Sequence, residues 1–269
     1  MNINTISALS QKEAEIVARL SYEEKDIVTA KELDSYLPAD FQYRRKLVYG
    51  LKKKRILIPI TGGIKGGVYI FVPLESVPTG RRVSEFLIPP VFFPDNNYYI
   101  GYSTMFNYYS FTDQQFQAVY VLNTTLCKKK IIAGLSFKFM KIPSERMFGL
   151  EKINIKNRQV IVSSKERTLI DLIYFNKPVG GIEAALEIFE RFVKEKKCDI
   201  NKLIEYAVQF PIIKTRKRIG FILEKEGVSE GLLKPLEKSI KNTSLISFSN
   251  SRKGTINKKW RVITNDPQG

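Results

Sequence analysis

The chain has 269 residues, 43% of them hydrophobic, which is enough for two folded domains with buried cores. It contains no histidine, and 44 basic against 27 acidic residues give a net charge of +17. The lack of imidazole excludes Ser-His-Asp and Cys-His catalysis and most zinc sites. The charge favours a polyanionic partner, with nucleic acid first and an anionic membrane second.

The sequence predicts a cytoplasmic protein without a membrane anchor. No segment approaches the roughly 18 to 20 apolar residues of a membrane span, and residues 1–20 have mixed charge, unlike a signal peptide. Two isolated cysteines, Cys127 and Cys198, suit a reducing compartment better than a disulfide framework. We expect no metal and no cofactor.

The basic residues are concentrated in one segment. Residues 1–40 hold 4 basic and 8 acidic side chains, net −4, whereas residues 41–65 hold 8 basic and no acidic side chains, net +8. A solvated helix face usually mixes both signs, so this block favours a binding surface over mere solubilising charge.

Residues 1–75 have the pattern of a winged helix-turn-helix. Apolar residues at helical spacing predict a first helix ending near Leu20. Thr29 can cap a short second helix, and Asp40 can cap a third helix over 41–54. Two helices joined by so tight a turn are typical of a helix-turn-helix, whose last helix lies in the major groove of DNA.

A hairpin is predicted after the third helix. The apolar, β-branched runs 57–60 and 68–72 flank a glycine-rich tip that carries Lys65, which is placed to contact the DNA backbone or minor groove. The alternative is a phosphate-binding loop, but no Gly-Lys-Ser/Thr sequence follows the glycines and no helix starts there. A wing is therefore the preferred interpretation.

Helical periodicity divides the third helix into two sides. The side predicted to face the core carries Phe41, Leu47, Val48 and Leu51. The side predicted to contact base edges, because Gln pairs with adenine and Lys reaches guanine, carries Gln42, Lys46, Tyr49 and Lys53. The residues predicted to neutralise phosphates are Arg44, Arg45, Lys52, Lys54 and Arg55. Gly50 costs about 1 kcal/mol relative to Ala, so we expect DNA or a neighbouring helix to approach the backbone there.

A proline-rich connector over 76–97 is predicted to lead into an α+β domain over 98–241. The aromatic residues between Tyr98 and Phe111 are assigned to its core, although stacking on unpaired bases is an alternative. Short strand-like runs predict a small sheet: 119–122, 131–132, 137–140, 153–155 and 160–162. A helical bundle follows, with a helix after Ser163 and further helices beginning near Gly181, Asn201, Thr215 and Ser229.

Further basic clusters suggest that the second domain extends the DNA contact. The residues of this second basic face are Lys128, Lys129, Lys130, Lys214, Arg216, Lys217 and Arg218. Solubilising charge is the alternative for each cluster. The lysine-rich tail, 242–269, lacks apolar periodicity and is expected to be disordered.

Glu166 and Asp171 are the carboxylates that a metal-dependent nucleic-acid-processing enzyme would use. The alternative is structural, with Ser163 and Glu166 forming a capping box and Arg167 pairing with Asp171 at i, i+4. We favour the structural interpretation, so no catalytic activity is expected.

Three motifs of the second domain resemble the AbiEi family. They are Val-Ser-Ser-Lys-Glu-Arg-Thr-Leu-Ile-Asp-Leu at 162–172, Gly-Gly-Ile-Glu-Ala-Ala-Leu at 180–186 and Lys-Arg-Ile-Gly-Phe-Ile-Leu-Glu at 217–224. The resemblance covers residues 1 to about 241, and it departs from the family at 106–112, where a helix ending in a His-Gly-Leu-like turn is expected.

This resemblance implies a winged helix followed by an antitoxin domain, in a type IV toxin-antitoxin system linked to abortive phage infection. The implied protein represses its own operon by binding inverted repeats in the promoter. It also counteracts a nucleotidyltransferase-like toxin without needing a stable complex with it.

Overall fold

The computed structural model describes residues 9–61, 67–74, 84–156, 158–251 and 253–264. In these residues the chain is α+β and divides into two compact units. The first unit comprises 1–95, 130–136 and 155–158, and the second comprises 96–129, 137–154 and 159–269. The predicted wing tip with Lys65 and the first half of the predicted connector lie outside the described residues.

The described residues of the first unit up to residue 74 form three helices and a three-stranded antiparallel sheet. The helices are α1 (Gln11–Tyr22), α2 (Ala30–Asp34) and α3 (Phe41–Lys53). The strands are β1 (Ile27–Thr29), β2 (Leu57–Thr61) and β3 (Val68–Phe71), in the order β1-β3-β2. Apolar residues of all three helices and of the sheet form one core. The predicted hairpin is confirmed as the antiparallel pair β2 and β3.

Local side chains set the starts of these helices. Thr29 caps α2 in a capping box with Glu32, and Asp40 caps α3 by accepting a hydrogen bond from the Tyr43 amide at 2.6 Å. Both predicted caps are confirmed. Strand β1 was not predicted, although Ile27 and Val28 are β-branched, because a strand of three residues shows no alternation.

The described half of the predicted connector is not extended. It contains a 3-10 turn, Glu85–Leu87, and helix α4, Pro89–Phe92. Phe86 and Phe93 are buried. The prediction was wrong for these residues because proline suits the first turn of a helix, where its missing N–H is not needed, as well as it suits an extended chain.

A six-stranded sheet with the strand order β6-β7-β5-β4-β9-β8 belongs mostly to the second unit, while its residues 130–132, 135–136, 155 and 158 are assigned to the first unit. Its strands are β4 (Tyr98–Ile100), β5 (Ala118–Asn123), β6 (Lys128–Ile132), β7 (Leu135–Lys141), β8 (Leu150–Ile155) and β9 (Arg158–Ser163). Strand β4 runs antiparallel to β5 and parallel to β9. All five predicted strand runs lie within β5 to β9.

The described residues of the second unit also contain six helices. They are α5 (Ser103–Tyr108), α6 (Lys165–Tyr174), α7 (Ile182–Lys194), α8 (Ile200–Gln209), α9 (Ile213–Lys225) and α10 (Glu230–Lys238), with 3-10 turns at Ser144–Arg146 and Lys177–Val179. Tyr98, Tyr99, Phe106 and Phe111 are fully buried, which confirms the core interpretation for these residues, whereas Tyr108 is 46% exposed. Among the described residues, no helix combines the length and apolarity needed to cross a bilayer.

The segment after residue 241 is ordered where it is described, so the expectation of disorder was wrong there. Strands β10 (Ile246–Ser247), β11 (Thr255–Asn257) and β12 (Val262–Thr264) form a sheet with the order β10-β12-β11. Trp260 is fully buried against Gly220 and donates a hydrogen bond to Glu224 at 2.7 Å. Strands of two or three residues are too short to reveal a periodicity.

Gly220 is required for this packing, because a Cβ there would lie 2.0 Å from Trp260 Cζ3. We expect Gly220→Ala to lower the free energy of unfolding of the second unit by about 1–3 kcal/mol. Fluorescence of Trp260, the one tryptophan of the chain, during urea unfolding measures this.

Gly231 of α10 is the matched control, since a Cβ there meets nothing within 4 Å. Gly231→Ala should leave the stability unchanged or raise it by up to about 1 kcal/mol. Equal stabilities of Gly220→Ala and Gly231→Ala would contradict the packing described.

Candidate nucleic-acid interface

Helix α3 has one side in the core and one side in solvent. Leu47 and Leu51 are buried and hold the helix in the first unit. Apart from Tyr43, which is 42% exposed, the exposed residues lie within an arc of about 140° at a helical period of 3.6 residues. We call these residues the α3 basic face: Phe41, Gln42, Arg45, Lys46, Tyr49, Lys52 and Lys53.

The charges of the α3 basic face are not neutralised within the described residues. The side chains of Arg45, Lys46, Lys52 and Lys53 form no hydrogen bond or ion pair with any described residue. Arg55 follows the helix and is also exposed. Unpaired cations on one side of a helix attract polyanions and can replace the counterions of a phosphate backbone.

Two other predicted DNA-contacting residues are used inside the first unit. Arg44 donates to the carbonyl of Pro38 at 2.5 Å and to Asp34 Oδ1 at 3.2 Å. Lys54 donates to Glu13 Oε2 at 2.5 Å. Their donors bind other residues of the first unit and so hold α3 in place. We therefore do not count Arg44 and Lys54 in the α3 basic face.

Glu13 of α1 is the residue to which α3 is anchored. It is 5% exposed, and its carboxylate accepts hydrogen bonds from Lys54 and from the Ser10 amide, the latter at 2.8 Å. Burial acts to raise the pKa of Glu13, but the hydrogen bonds from Lys54 and Ser10 outweigh it and lower the pKa below the usual value. A Cβ on Gly50 would lie 2.4 Å from Glu13 Oε1. Gly50 thus admits a neighbouring helix.

Phe41 does not face the core as predicted. It is 56% exposed, and the guanidinium carbon of Arg45 lies 5.9 Å from the centroid of its ring. Phe41 is the first residue of α3, about 9 Å along the helix axis from Leu47 at 1.5 Å per residue. Its position on the helical wheel suggested burial, but the core does not reach that end of the helix.

The predicted second basic face is not formed by the cluster on α9. Lys217 is 0% exposed and donates to the carbonyl of Ser244. Arg218 donates to the carbonyl of Phe248 at 2.8 Å, and Arg216 donates to that of Phe210 at 2.6 Å. Burial lowers the pKa of all three groups. Of the four predicted residues on α9, Lys214 alone is exposed.

The cluster on β6 is divided in a similar way. Lys128 and Lys129 are exposed. Lys130 donates to the carbonyl of Ile60 at 2.5 Å, and its amine lies 5.0 Å from the centroid of the Phe92 ring. The interaction of Lys130 with Ile60 and Phe92 falls within the first unit.

Glu166 and Asp171 do not share a site. Glu166 accepts a hydrogen bond from the Asp199 amide at 3.0 Å, and α6 is capped by Ser164, so the predicted capping box with Ser163 is wrong. Asp171 is fully buried and accepts from Arg167 at 3.2 Å, as the i, i+4 interpretation predicts. Burial raises the pKa of Asp171 in spite of Arg167. The described residues contain no group of three His, Cys, Asp or Glu suited to a metal ion.

A buried polar cluster surrounds Arg167 and was not predicted from the sequence. Arg167 donates to the carbonyls of Arg146 and Phe148 at 2.9 and 3.0 Å and to the Tyr99 hydroxyl at 3.1 Å. Arg146 donates to the Tyr102 hydroxyl at 3.0 Å. The motif at 162–172 therefore supplies an arginine and an aspartate to the interior, and its spacing of four residues is the available signal.

Comparison with known proteins finds a similarity in fold. No family model matches the sequence, and no curated protein matches it. The crystal structure of the RV2827C protein from Mycobacterium tuberculosis superposes with a TM-score of 0.63 at 10% sequence identity, covering 94% of this chain and 91% of that chain. At this identity the similarity concerns the fold alone.

Anchoring of α3 by Glu13 predicts a pH-dependent stability. Because its folded-state pKa is lowered, the stabilisation is present above the unfolded pKa of about 4.3 and is lost as the pH falls through the folded pKa. Glu13→Gln should lower the opening free energy of α1 and α3 by about 1–3 kcal/mol at pH 7. This difference should shrink towards pH 3.

Hydrogen exchange of the amides of α1 and α3 measures these opening free energies. Glu15→Gln, on the exposed side of α1, is the control and should change them by no more than about 0.5 kcal/mol. An effect of Glu13→Gln that is as large at pH 3 as at pH 7 would exclude the carboxylate as the anchor.

Proposed function

We propose that the protein is a DNA-binding transcriptional autorepressor and the antitoxin of a type IV toxin-antitoxin system of the AbiEi kind. In this proposal the first unit is a winged helix-turn-helix, with α3 in the major groove and the hairpin of β2 and β3 as the wing. The observation that carries the DNA-binding part is the α3 basic face. Its cations form no hydrogen bond or ion pair with the described residues, while the opposite side of α3 is buried.

The arrangement of the first unit supports this assignment. A short connection, residues 35–40, joins α2 to α3, and an antiparallel hairpin follows α3 directly. Gln42, Lys46, Tyr49 and Lys53 are exposed together, as base contacts require, and Lys52 and Arg55 are exposed at the end of the helix for phosphate contacts. Tyr49 is 67% exposed, which leaves its ring available for a groove.

The antitoxin part is supported by the resemblance of the second unit to the AbiEi family. The motif at 162–172 extends from β9 into α6, and the motif at 217–224 lies on α9. The functional partner is a nucleotidyltransferase-like toxin, which the protein counteracts without a stable complex. The DNA partner is the set of inverted repeats in its own promoter.

Removal of two lysines from the α3 basic face should weaken binding to the duplex upstream of the reading frame. Lys46→Ala with Lys53→Ala removes two contacts worth about 1–3 kcal/mol each. A mobility shift assay measures this loss. The salt dependence of log affinity should also become shallower by about 1 for each lysine that contacts a phosphate.

Lys202→Ala with Lys234→Ala is the matched control, because both lysines are exposed on helices of the second unit and the net charge changes equally. Its affinity should remain close to that of the unmodified protein. Equal affinities of the two double variants would rule out α3 as the DNA-contacting helix.

Repression and antitoxicity should be separable. We expect a neighbouring reading frame to encode the toxin, and co-expression of the full chain should restore growth of cells that express it. The variant with Lys46→Ala and Lys53→Ala should restore growth equally well from a foreign promoter, yet fail to repress its own promoter. A variant that loses growth rescue together with repression would contradict the assignment of the two activities to different units.

A further inference from the structure

The first turns of α3 expose an apolar ring beside a guanidinium group. Phe41 is 56% exposed, and Arg45 lies over its ring at 5.9 Å, within the distance of a cation-π contact. Arg45 forms no hydrogen bond or ion pair with the described residues, whereas the adjacent Arg44 donates to Pro38 and Asp34. The donors of Arg45 are therefore available, and the ring restrains the guanidinium.

The core of the first unit does not account for this pair. Helix α3 packs through Leu47 and Leu51, and Phe41 lies a turn and a half before the first of them. The helix start itself is fixed independently, because Asp40 caps it through the Tyr43 amide. Phe41 and Arg45 thus lie at a fixed helix end, and their described contacts do not contribute to the core of the first unit.

The major groove of DNA offers partners that match both groups. Thymine presents a C5-methyl group that an apolar side chain can contact, and guanine presents N7 and O6, which accept two hydrogen bonds from arginine. Base pairs are stacked about 3.4 Å apart. Groups separated by 5.9 Å can therefore reach neighbouring base pairs. In a helix-turn-helix, the N-terminal residues of the second helix contact base edges.

We propose that Phe41 and Arg45 form a specificity pair that recognises a thymine next to a guanine in the major groove. This inference rests on the proposed DNA-binding function and names the sequence feature that α3 recognises. Arg45 then contacts a base, whereas the sequence alone predicts a phosphate contact. Phe41 becomes a specificity-determining residue, whereas its position on the helical wheel predicts burial.

The test begins with selection of duplexes from a random-sequence library by the full chain. The enriched duplex is then remade with deoxyuridine in place of each thymine, which removes the methyl group, or with 7-deazaguanine in place of each guanine, which removes N7. We expect one thymine per half-site at which deoxyuridine weakens binding by about fourfold. At the adjacent guanine, 7-deazaguanine should weaken binding roughly tenfold.

Variants of Phe41 and Arg45 show which side chain contacts the thymine methyl group and which contacts guanine N7. Phe41→Ala should be insensitive to that deoxyuridine, whereas Phe41→Leu, which keeps an apolar side chain, should remain sensitive. Arg45→Ala should be insensitive to 7-deazaguanine. Tyr22→Ala and Arg19→Ala are the controls: Tyr22 is 89% exposed on α1, and Arg19 lies 5.0 Å from the ring of Tyr36, so each removes a similar group away from α3.

The outcomes separate this inference from the proposed function. Enrichment of a duplex to which Phe41→Ala and deoxyuridine cause independent, additive losses would overturn the specificity pair and leave DNA binding standing. Failure to enrich any duplex, or tighter binding to single-stranded DNA, would overturn the proposed function and the inference together. Loss of the deoxyuridine effect in Phe41→Ala, with retention in Phe41→Leu, would support both.

Discussion

The buried carboxylate of Glu13 is the constraint on which the candidate interface depends. It joins the start of α1, through the Ser10 amide, to the end of α3, through Lys54, and it contacts the backbone of α3 at Gly50. This contact fixes the rotation of α3 about its axis. With Leu47 and Leu51 turned into the core, the remaining cations of α3 must face solvent.

Basic side chains fall into two groups in this protein: those exposed to solvent and those buried in the fold. Most cations of α3 are exposed and form no hydrogen bond or ion pair with the described residues, so their charge is available to a polyanion. On α9, the same residue types donate to backbone carbonyls. Arg216 binds Phe210, just before α9, and Ser239, whereas Lys217 and Arg218 bind the segment 244–248 around β10. A buried or half-buried cation that donates to backbone carbonyls stabilises the fold and contributes little to long-range attraction.

Much of the fold could be predicted from sequence, because caps and turns act locally. Thr29 and Asp40 determined the starts of α2 and α3, and short strand-like runs located β5 to β9. The wrong predictions share a physical cause: whether a side chain is buried depends on residues that are distant in the sequence. Phe41 lies beyond the end of its core, and the basic cluster at 216–218 is covered by a segment about 30 residues away. Trp260 was the missed signal in the tail, since a lone tryptophan rarely stays in solvent.

The central claim is that α3, and not the basic clusters of the second unit, contacts duplex DNA. Lysine acetylation followed by mass spectrometry, with and without the duplex upstream of the reading frame, tests it directly. The account predicts that the duplex protects Lys46, Lys52 and Lys53 and leaves Lys128 and Lys214 equally reactive in both states. The buried Lys217 should stay unreactive throughout. Protection of Lys128 and Lys214, with the α3 lysines still reactive, would contradict the account.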